Sequence, residues 1–196
     1  QNKWLGYGAQ RNLAVKQTSN DWIFCLDADE VITDLLAQEI NTLKLDNKYE
    51  SFYINRSNNF AGKWINYGLW GRDKVLRFYN KHTTKWNQEP VHETLELKVQ
   101  HKLKILKYKI LHFSYASELE LKQKTEKYAS LAAINMLNHG KQANYFDVLF
   151  RPFFKFVVNY IFRLGFLDGR NGFIIAKYQL IETYLKYKKL KDLKVL

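Results

Sequence analysis

Two aspartates, Asp27 and Asp29, stand two residues apart directly after the apolar run WIFCL at residues 22–26. An apolar run of this length that ends in polar residues predicts a buried strand. The acids then lie at the end of that strand, which is the edge where ligands bind in open α/β sheets. Two carboxylates that point into one cavity suit Mg²⁺ or Mn²⁺. The spacing therefore predicts a divalent-cation site, and an exposed acidic turn is the alternative interpretation.

Two arginines, Arg11 and Arg77, are candidate phosphate ligands. Gly6 and Gly8 precede a predicted helix over residues 10–17 that carries Arg11. Helix N-termini and guanidinium groups both bind phosphate, although an ordinary loop and helix packed on a sheet is an equally open reading. Arg77 lies on a predicted strand over 75–79. It is a second phosphate candidate, and a surface ion-pair partner is its alternative role.

The elements that must position these groups follow in the chain as one helix, several strands and a long loop. Thr33 or Asp34 is predicted to cap a helix that ends near residue 45, and its apolar stripe is Leu35, Leu36, Ile40 and Leu43. Strands are predicted over 51–56, 75–79 and 103–113. The intervening loop over 58–73 contains three aromatic side chains, Trp64, Tyr67 and Trp70.

The chain changes character near Ser117, where a strand-rich pattern gives way to a helical and aromatic one. Ser117 and Glu120 predict a capping box that starts a helix, which Gly140 ends. Two further helices are predicted over about 146–163 and 173–188. We therefore expect a boundary near residue 117.

Composition indicates a globular protein with an anionic partner. Of 196 residues, 46% are hydrophobic and 26% are charged, which excludes an intrinsically disordered chain. The net charge of +12 favours nucleic acid, an acidic membrane surface or phosphorylated substrates as partners. Cys25 is the single cysteine, so the chain forms no internal disulfide and fits a reducing compartment.

The segment over residues 151–191 is both aromatic and basic. Polar residues interrupt its apolar runs, so none approaches the roughly 20 residues of a spanning helix. The pattern is typical of a helix that lies in a membrane interface, with these lysines facing anionic head groups: Lys186, Lys188, Lys189 and Lys191. A helical appendage packed on the rest of the protein is the alternative.

Taken together, five motifs resemble family-2 glycosyltransferases with a GT-A fold. In order they are QRN at 10–12, WIFCLDADE at 22–30, RF at 77–78, VHE at 91–93 and LHFSY at 111–115. Within that family the chain is most similar to the bacterial lipopolysaccharide-core β-glucosyltransferase type, which the stretch GFLDG at 165–169 followed by Gly172 also resembles. The resemblance extends from about Trp4 to Tyr187.

The resemblance implies an α/β chain: a partial GT-A (Rossmann-like) sheet of the nucleotide-sugar transferase kind, with a C-terminal helical appendage. Residues 1–116 are then a GT-A-like catalytic domain that lacks its N-terminal nucleobase-binding part, and residues 117–196 are a helical C-terminal region that associates with membranes. We accordingly expect the chain to be truncated at its N-terminus relative to the family.

The same resemblance assigns roles to residues of the donor site. It implies that Asp27 and Asp29 hold the metal, Mn²⁺ or Mg²⁺, and the sugar nucleotide, with Asp29 touching the metal. His112 is implied as a further ligand of the metal or the diphosphate. Arg11 and Asn12 are implied to line the donor pocket.

Glu93 falls where the family places its carboxylate base, and Asp73 is the second candidate. One carboxylate base without a protein nucleophile implies direct displacement with inversion. The expected reaction moves a hexose, glucose, from a nucleotide-sugar (a UDP-sugar) to a lipopolysaccharide-core or other cell-envelope glycan or glycolipid. Flat faces for the sugar rings of that acceptor are offered by Trp64, Tyr67 and Trp70, and packing within the loop is their alternative role. The expected location is the bacterial cytoplasm, in peripheral contact with the cytoplasmic face of the inner membrane.

Two other function classes compete with this reading. A basic, aromatic chain without catalysis would bind single-stranded nucleic acid or another anionic surface. We expect no nucleic acid, because acids stand where phosphate would pass. The third class is a phosphate-handling hydrolase, which would release free sugar without an acceptor.

Overall fold

The computed structural model describes residues 5–45, 51–87, 94–97 and 102–193. The chain divides into two compact units. The first unit comprises residues 1–56 and 73–112, and the second comprises residues 57–72 and 113–196. The predicted base Glu93 lies outside the described residues.

Helices and strands are mixed along the described chain. The α-helices are α1 Tyr7–Lys16, α2 Asp34–Asn41, α3 Glu118–Asn138, α4 Tyr145–Val157 and α5 Gly169–Leu193. The strands are β1 Trp22–Phe24, β2 Glu30–Ile32, β3 Ser51–Phe60, β4 Lys63–Ile65, β5 Lys74–Asn80 and β6 Leu103–Tyr115. Short 3-10 helices lie at Trp70–Arg72 and Gly165–Asp168, and a π-helical segment lies at Val158–Phe162.

The strands of the first unit follow the order β1-β5-β3-β6-β2. The pairings of β1 with β5, β3 with β5 and β2 with β6 are all antiparallel. Apolar side chains from both helix α2 and the strands form the core: Leu36, Phe52, Ile54, Phe78, Leu106 and Ile110. The predicted α/β class is confirmed, and the architecture is consistent with a partial GT-A fold.

Strand β1 is shorter than its sequence indicates. The apolar run predicts a buried strand that reaches Leu26, but the strand ends at Phe24 and Leu26 is exposed. Only Ile23 of this strand is buried. Among the described residues β1 stands at the end of the strand order and pairs with β5, and the chain turns soon after it, at Ala28 and Asp29.

Helix α2 begins as predicted but is shorter. The hydroxyl of Thr33 accepts a hydrogen bond from the N–H of Leu36 at 3.3 Å, which caps the helix. The helix ends at Asn41 rather than near residue 45. Leu36 is fully buried, whereas Leu35 is 52% exposed, so the prediction that Leu35 belongs to the buried stripe is wrong.

In the second unit, the predicted loop over 58–73 is largely structured. Strand β3 continues to Phe60, and β4 pairs with it. The following turn is anchored by a distant side chain, because Asp168 accepts the N–H groups of Asn66 and Tyr67, 102 and 101 positions earlier, at 3.1 and 2.9 Å. The prediction of a loop over the whole of 58–73 is wrong, because strand pairing and an anchor this far along the chain leave no local sequence pattern.

Helix starts in this unit use two different caps. The hydroxyl of Ser117 accepts the N–H of Glu120 at 3.3 Å, but the carboxylate of Glu120 accepts the N–H of Ala116. The predicted reciprocal capping box at Ser117 is therefore incomplete. A complete box stands at α4, where Asn144 and Asp147 exchange side-chain and backbone hydrogen bonds at 3.0 Å.

One side of α4 exposes large apolar side chains. We call this set the α4 surface, and its members are 55–68% exposed: Phe146, Leu149, Phe150, Phe153 and Phe154. The exposure continues beyond α4 at Phe162, which is 73% exposed. Within the described ranges, no helix combines the length and the apolar character that crossing a membrane requires.

Candidate active site

A buried carboxylate, Glu30, organises the polar site of the first unit. Its side chain is 0% exposed and accepts from Arg77 at 2.9 Å and from Arg56 at 3.0 Å. It also accepts the backbone N–H of Asp27 at 3.0 Å. Burial alone would raise the pKa of Glu30, but the charge of Arg77 and these hydrogen bonds hold that pKa below its ordinary value. Glu30 is thus an ionised anchor for two guanidinium groups.

Asp27 lies between two arginines on different elements. One carboxylate oxygen accepts from Arg11 of α1 at 2.7 Å, and the other accepts from Arg77 of β5. Burial lowers the pKa of Arg77, yet the charges of Glu30 and Asp27 outweigh it and raise that pKa above its ordinary value. Two of the predicted donor ligands are therefore held at the end of the acidic turn, with Asp27 between them.

Asp73 belongs to the same network through Arg56. The Nε and a terminal nitrogen of Arg56 donate to one oxygen of Asp73 at 2.8 and 2.6 Å. The backbone N–H of Arg56 donates to the carbonyl of Asp73 at 2.9 Å. Because Arg56 also contacts Glu30, the candidate base Asp73 is linked to the acidic turn by a single side chain.

Asp29 is the exposed member of the acidic turn. Its side chain is 49% exposed, and its carboxylate lies 3.4 Å from Nε2 of His112. Burial, followed by the charge of Arg56, holds the pKa of His112 below its ordinary value. Its imidazole is therefore neutral near pH 7, which is the form that coordinates metals.

The side chains of Asp29 and His112 are suitable ligands for a divalent cation. The two oxygens of Asp27 are already bonded to guanidinium groups. Throughout the described ranges, no three His, Cys, Asp or Glu side chains form a group that could hold a metal. Mg²⁺ is commonly bound by one or two carboxylates together with substrate phosphates and water. A cation at Asp29 fits that pattern, with a diphosphate as the source of further ligands.

Asn12 contacts the backbone of Trp86. Its amide nitrogen donates to the Trp86 carbonyl at 2.8 Å, and its amide oxygen accepts the Trp86 N–H at 3.0 Å. The guanidinium of Arg11 lies 4.4 Å from the centre of the Trp86 ring. Asn87 then donates to the Thr94 carbonyl at 2.9 Å. The described residues on either side of 88–93 are thus bonded to each other and adjoin Arg11.

The three candidate acceptor aromatics lie in the second unit in different surroundings. Trp64 is 39% exposed, and its ring centre is 5.5 Å from that of Phe113. Tyr67 is 38% exposed. Trp70 stacks on Tyr115 at 5.5 Å with an interplanar angle of 16°. The roles predicted for these aromatics remain predictions.

Sequence reasoning missed Glu30 and Arg56 as site residues. Glu30 follows Asp29 directly and was visible as a third acid. Its burial was not visible, because it depends on arginines 26 and 47 positions away. For Arg56 the sequence offered a charged residue on a predicted strand and no sign of its partners.

Comparison with known proteins now adds independent information. Residues 1–103 match the family model described as glycosyl transferase family 2. An uncharacterized glycosyltransferase of Rickettsia prowazekii is 25% identical over 200 residues, which cover 97% of this chain and 68% of the relative. The lipopolysaccharide core biosynthesis glycosyltransferase LpsC of Rhizobium meliloti is 26% identical over 192 residues, covering 95% and 70% of the two chains.

The matched segment contains Arg11, Asp27, Asp29, Glu30 and Arg77, which are the residues of the ion-pair network and its acidic turn. It spans more than half of the 196 residues. This match favours the transferase over the binding-module alternative. The chain belongs to glycosyl transferase family 2, and it is a glycosyltransferase that uses a nucleotide-sugar donor and a glycan acceptor.

Proposed function

We propose that this protein is an inverting, cation-dependent hexosyltransferase that moves glucose from a UDP-sugar to a lipopolysaccharide-core or other cell-envelope glycan. The observation that carries the proposal is the contact of Arg11 and Arg77 with Asp27, beside the exposed carboxylate of Asp29. This arrangement combines fixed positive charge with a free hard ligand, which together suit a sugar diphosphate. The likeness to LpsC supports the choice of acceptor.

Arg11 and Arg77 are proposed to bind the diphosphate of the donor. A guanidinium presents several N–H donors in one plane, so it binds phosphate in a directed, often bidentate way. Glu30 fixes Arg77, and the Trp86 ring supports Arg11. Asn12 is proposed to act on the donor pocket through the Trp86 backbone that it binds.

The cation, Mn²⁺ or Mg²⁺, is proposed to be held by Asp29 with His112. Asp27, the third predicted ligand, would join them only where Arg11 or Arg77 releases one of its oxygens. When bound, a divalent cation stabilises the negative charge that develops on a leaving diphosphate. Arg11 and Arg77 add positive charge on the same side of the acidic turn.

Glu93 is proposed as the base that removes the proton from the acceptor hydroxyl. As that proton leaves, the hydroxyl oxygen bonds to the anomeric carbon while the bond to the diphosphate breaks, which inverts the configuration. Its neighbour Thr94 is tied to Asn87, next to the Trp86 that carries Arg11. This connection supports Glu93, while Asp73 remains the alternative because it too belongs to the network.

A peripheral contact with the cytoplasmic face of the inner membrane is proposed to bring the protein to an amphiphilic acceptor. The α4 surface supplies exposed phenylalanines, as an interfacial helix requires. Cations lie close by in the same unit: Arg151 and Lys186 are 5.3 and 4.7 Å from the Tyr187 ring centre. Burial and the charges of Lys155 and Arg151 hold the pKa of Lys186 below its ordinary value, so an anionic head group would relieve this repulsion.

Transfer is tested by incubating the purified chain with a panel of nucleotide-sugars, Mn²⁺ and a lipopolysaccharide-core acceptor, with the product followed by mass spectrometry. We expect transfer from UDP-glucose and its loss in Asp29→Asn, whereas Asp34→Asn, an exposed acid on α2, retains it. Free glucose without acceptor would instead indicate a hydrolase. Equal turnover in Asp29→Asn and the unchanged protein would contradict the proposed role of Asp29 as a metal ligand.

Cation binding has its own readout. The electron paramagnetic resonance signal of free Mn²⁺ should fall further with protein and UDP together than with UDP alone, and Asp29→Asn should abolish that further fall. The same signal in both proteins would place the cation elsewhere.

The base assignment is tested by comparing Glu93→Gln with Asp73→Asn. Glu93→Gln should lower kcat by about 100-fold or more with little change in donor KM, because the residue acts in proton transfer. If Asp73→Asn alone has this effect, Asp73 is the base.

Membrane contact is tested by co-sedimentation with anionic and neutral vesicles. We expect binding to anionic vesicles that weakens as salt rises, since each basic residue near the surface adds about 1 kcal/mol. Phe150→Ser with Phe154→Ser should weaken it, as should replacing Lys186, Lys188, Lys189 and Lys191 by Gln. Absence of binding to either kind of vesicle would contradict the proposal.

A further inference from the structure

The second unit contains a small pocket of about 120 Å³ that none of the roles above uses as a whole. Its walls come from α3, α4, α5, the 3-10 helix at Trp70–Arg72 and the end of β6. The lining residues are Trp70, Tyr115, Leu121, Thr125, Tyr128, Lys155, Ile175, Tyr178, Gln179 and Glu182.

Helical spacing explains why these residues converge. Leu121, Thr125 and Tyr128 follow one another at four and three positions, which places them on one side of α3. On α5 the lining residues are also three or four positions apart, which places them on one side of that helix: Ile175, Tyr178, Gln179 and Glu182. Both stripes belong to long, regular helices, so the pocket is a fixed feature of the unit.

We propose that this pocket binds one pyranose ring of the acceptor glycan. The inference deepens the proposed function and rests on it, since it takes the acceptor to be a glycan. A closed cavity that holds one benzene ring measures about 150 Å³. At about 120 Å³ the pocket is smaller than that, so it takes one face of a single pyranose ring and leaves the rest of the glycan outside. This size excludes the whole donor nucleotide.

Aromatic side chains give the pocket a flat wall. The Trp70 and Tyr115 rings are stacked within 16° of parallel, and Trp70 also packs edge-on against Phe60 at 6.1 Å. Tyr128 and Tyr178 line the same space. A pyranose has an apolar face of C–H groups that packs well on such rings, and aromatic packing contributes most of the contact area in small sites.

Polar side chains in the same pocket suit the hydroxyl groups of a sugar. The amide oxygen of Gln179 accepts from buried Asn159 at 2.6 Å, which fixes the amide and directs its NH₂ group as a donor. The hydroxyl of Thr125 donates to the Leu121 carbonyl at 2.7 Å, so its oxygen is an acceptor. Lys155 and Glu182 add a charged donor and a charged acceptor. A purely apolar ligand would displace water from these polar groups without replacing its hydrogen bonds, which is costly.

The test measures binding without donor or turnover. Saturation-transfer NMR with the full chain uses the methyl glycosides of glucose, galactose and mannose as probes. Two further compounds are control probes for the same measurement: uridine is a nucleoside, and cyclohexylmethanol is a largely apolar ring. We expect a signal from a methyl glycoside. Tyr128→Ala should weaken binding about tenfold because it removes an aromatic wall, and Glu182→Gln should weaken it by a similar factor because it removes a charged hydrogen-bond acceptor.

Matched controls separate binding from folding. Tyr145→Ala removes a tyrosine that is 74% exposed and outside the pocket, and Glu126→Gln removes an acid whose side chain is 75% exposed. Both should bind as the unchanged protein does. Equal binding by the pocket variants and these controls would overturn the proposal, as would preferred binding of uridine or cyclohexylmethanol.

The result also separates this inference from the proposed function. Asp29→Asn should lose transfer but keep glycoside binding. Glycoside binding without transfer to any acceptor would contradict the proposed function and leave a sugar pocket. Transfer without pocket-dependent binding would contradict this inference alone.

Discussion

The two units of the protein place polar and apolar side chains in opposite ways. In the first unit, Glu30 and Arg77 are buried, with side chains 0% and 6% exposed. In the second unit, the α4 surface turns phenylalanines such as Phe154, 68% exposed, to the outside. Soluble proteins usually bury apolar groups and expose charges. The two proposals above rest on these departures: an anionic donor at the buried charges, and an apolar phase at the α4 surface.

The difference also predicts how each unit responds to substitution. A buried charge depends on every partner that it has, so removing one partner is costly. An exposed phenylalanine contributes little to folding, so removing it is nearly neutral.

Glu30→Gln should destabilise the protein by about 3 kcal/mol, because it leaves the guanidinium groups of Arg77 and Arg56 without their shared buried carboxylate. Urea denaturation followed by circular dichroism measures the change. Glu126→Gln is the matched control and should change stability by less than about 0.5 kcal/mol. A small effect at Glu30 would show that charges in the first unit are as dispensable as surface charges.

Asn159→Leu should cost about 2 kcal/mol in the second unit, because the buried N–H of Leu69 loses the oxygen that it contacts at 2.6 Å. The same substitution frees Gln179, which Asn159 also binds. Asn138→Leu, on the exposed end of α3, is the control. If the two variants unfold alike, the turn before Trp70 does not depend on this anchor.

Asn144→Ala should cost about 1 kcal/mol, since it removes the side chain that caps α4. Thermal unfolding measures it, and Asn144→Ser, which keeps a capping oxygen, should recover most of the loss. Failure of serine to recover stability would argue against capping as the cause.

Phe150→Ser combined with Phe154→Ser should change stability by less than about 0.5 kcal/mol, because both side chains are already more than half exposed. Urea denaturation provides the measurement. A loss of several kcal/mol would mean that the α4 surface is part of the folded core, which would remove the contrast between the units.

Local pattern predicted those features that depend on neighbours in sequence. The cap at Thr33, the acidic turn at Asp27 and Asp29, and the start of α3 at Ser117 all follow from residues within four positions. The positions of Leu35 and Leu36 show the limit, since both are apolar but only one faces the core. The spacing of apolar residues predicts which side of α2 is buried, but packing against the strands determines which residues at the margin of that side stay exposed.

The features that were missed depend on long-range contacts. Glu30 acquires its role from Arg56 and Arg77, and the turn before Trp70 acquires its structure from Asn159 and Asp168. A single sequence contains the residues but not their pairing. The candidate ligands Arg11, Asp27 and Arg77 were named in advance, whereas the buried carboxylate that orders them was not.

Trp86 gives the protein an intrinsic optical reporter. Its indole is buried, and its N–H donates to the Tyr79 hydroxyl at 2.8 Å, where burial raises the pKa of Tyr79 to about 12. The guanidinium of Arg11 lies over the same ring while it binds Asp27. A diphosphate that draws Arg11 toward itself changes the electric field at the indole. The part of the protein's fluorescence that is lost in Trp86→Phe, and so belongs to Trp86 rather than to the other four tryptophans, should therefore change when the proposed donor site is occupied.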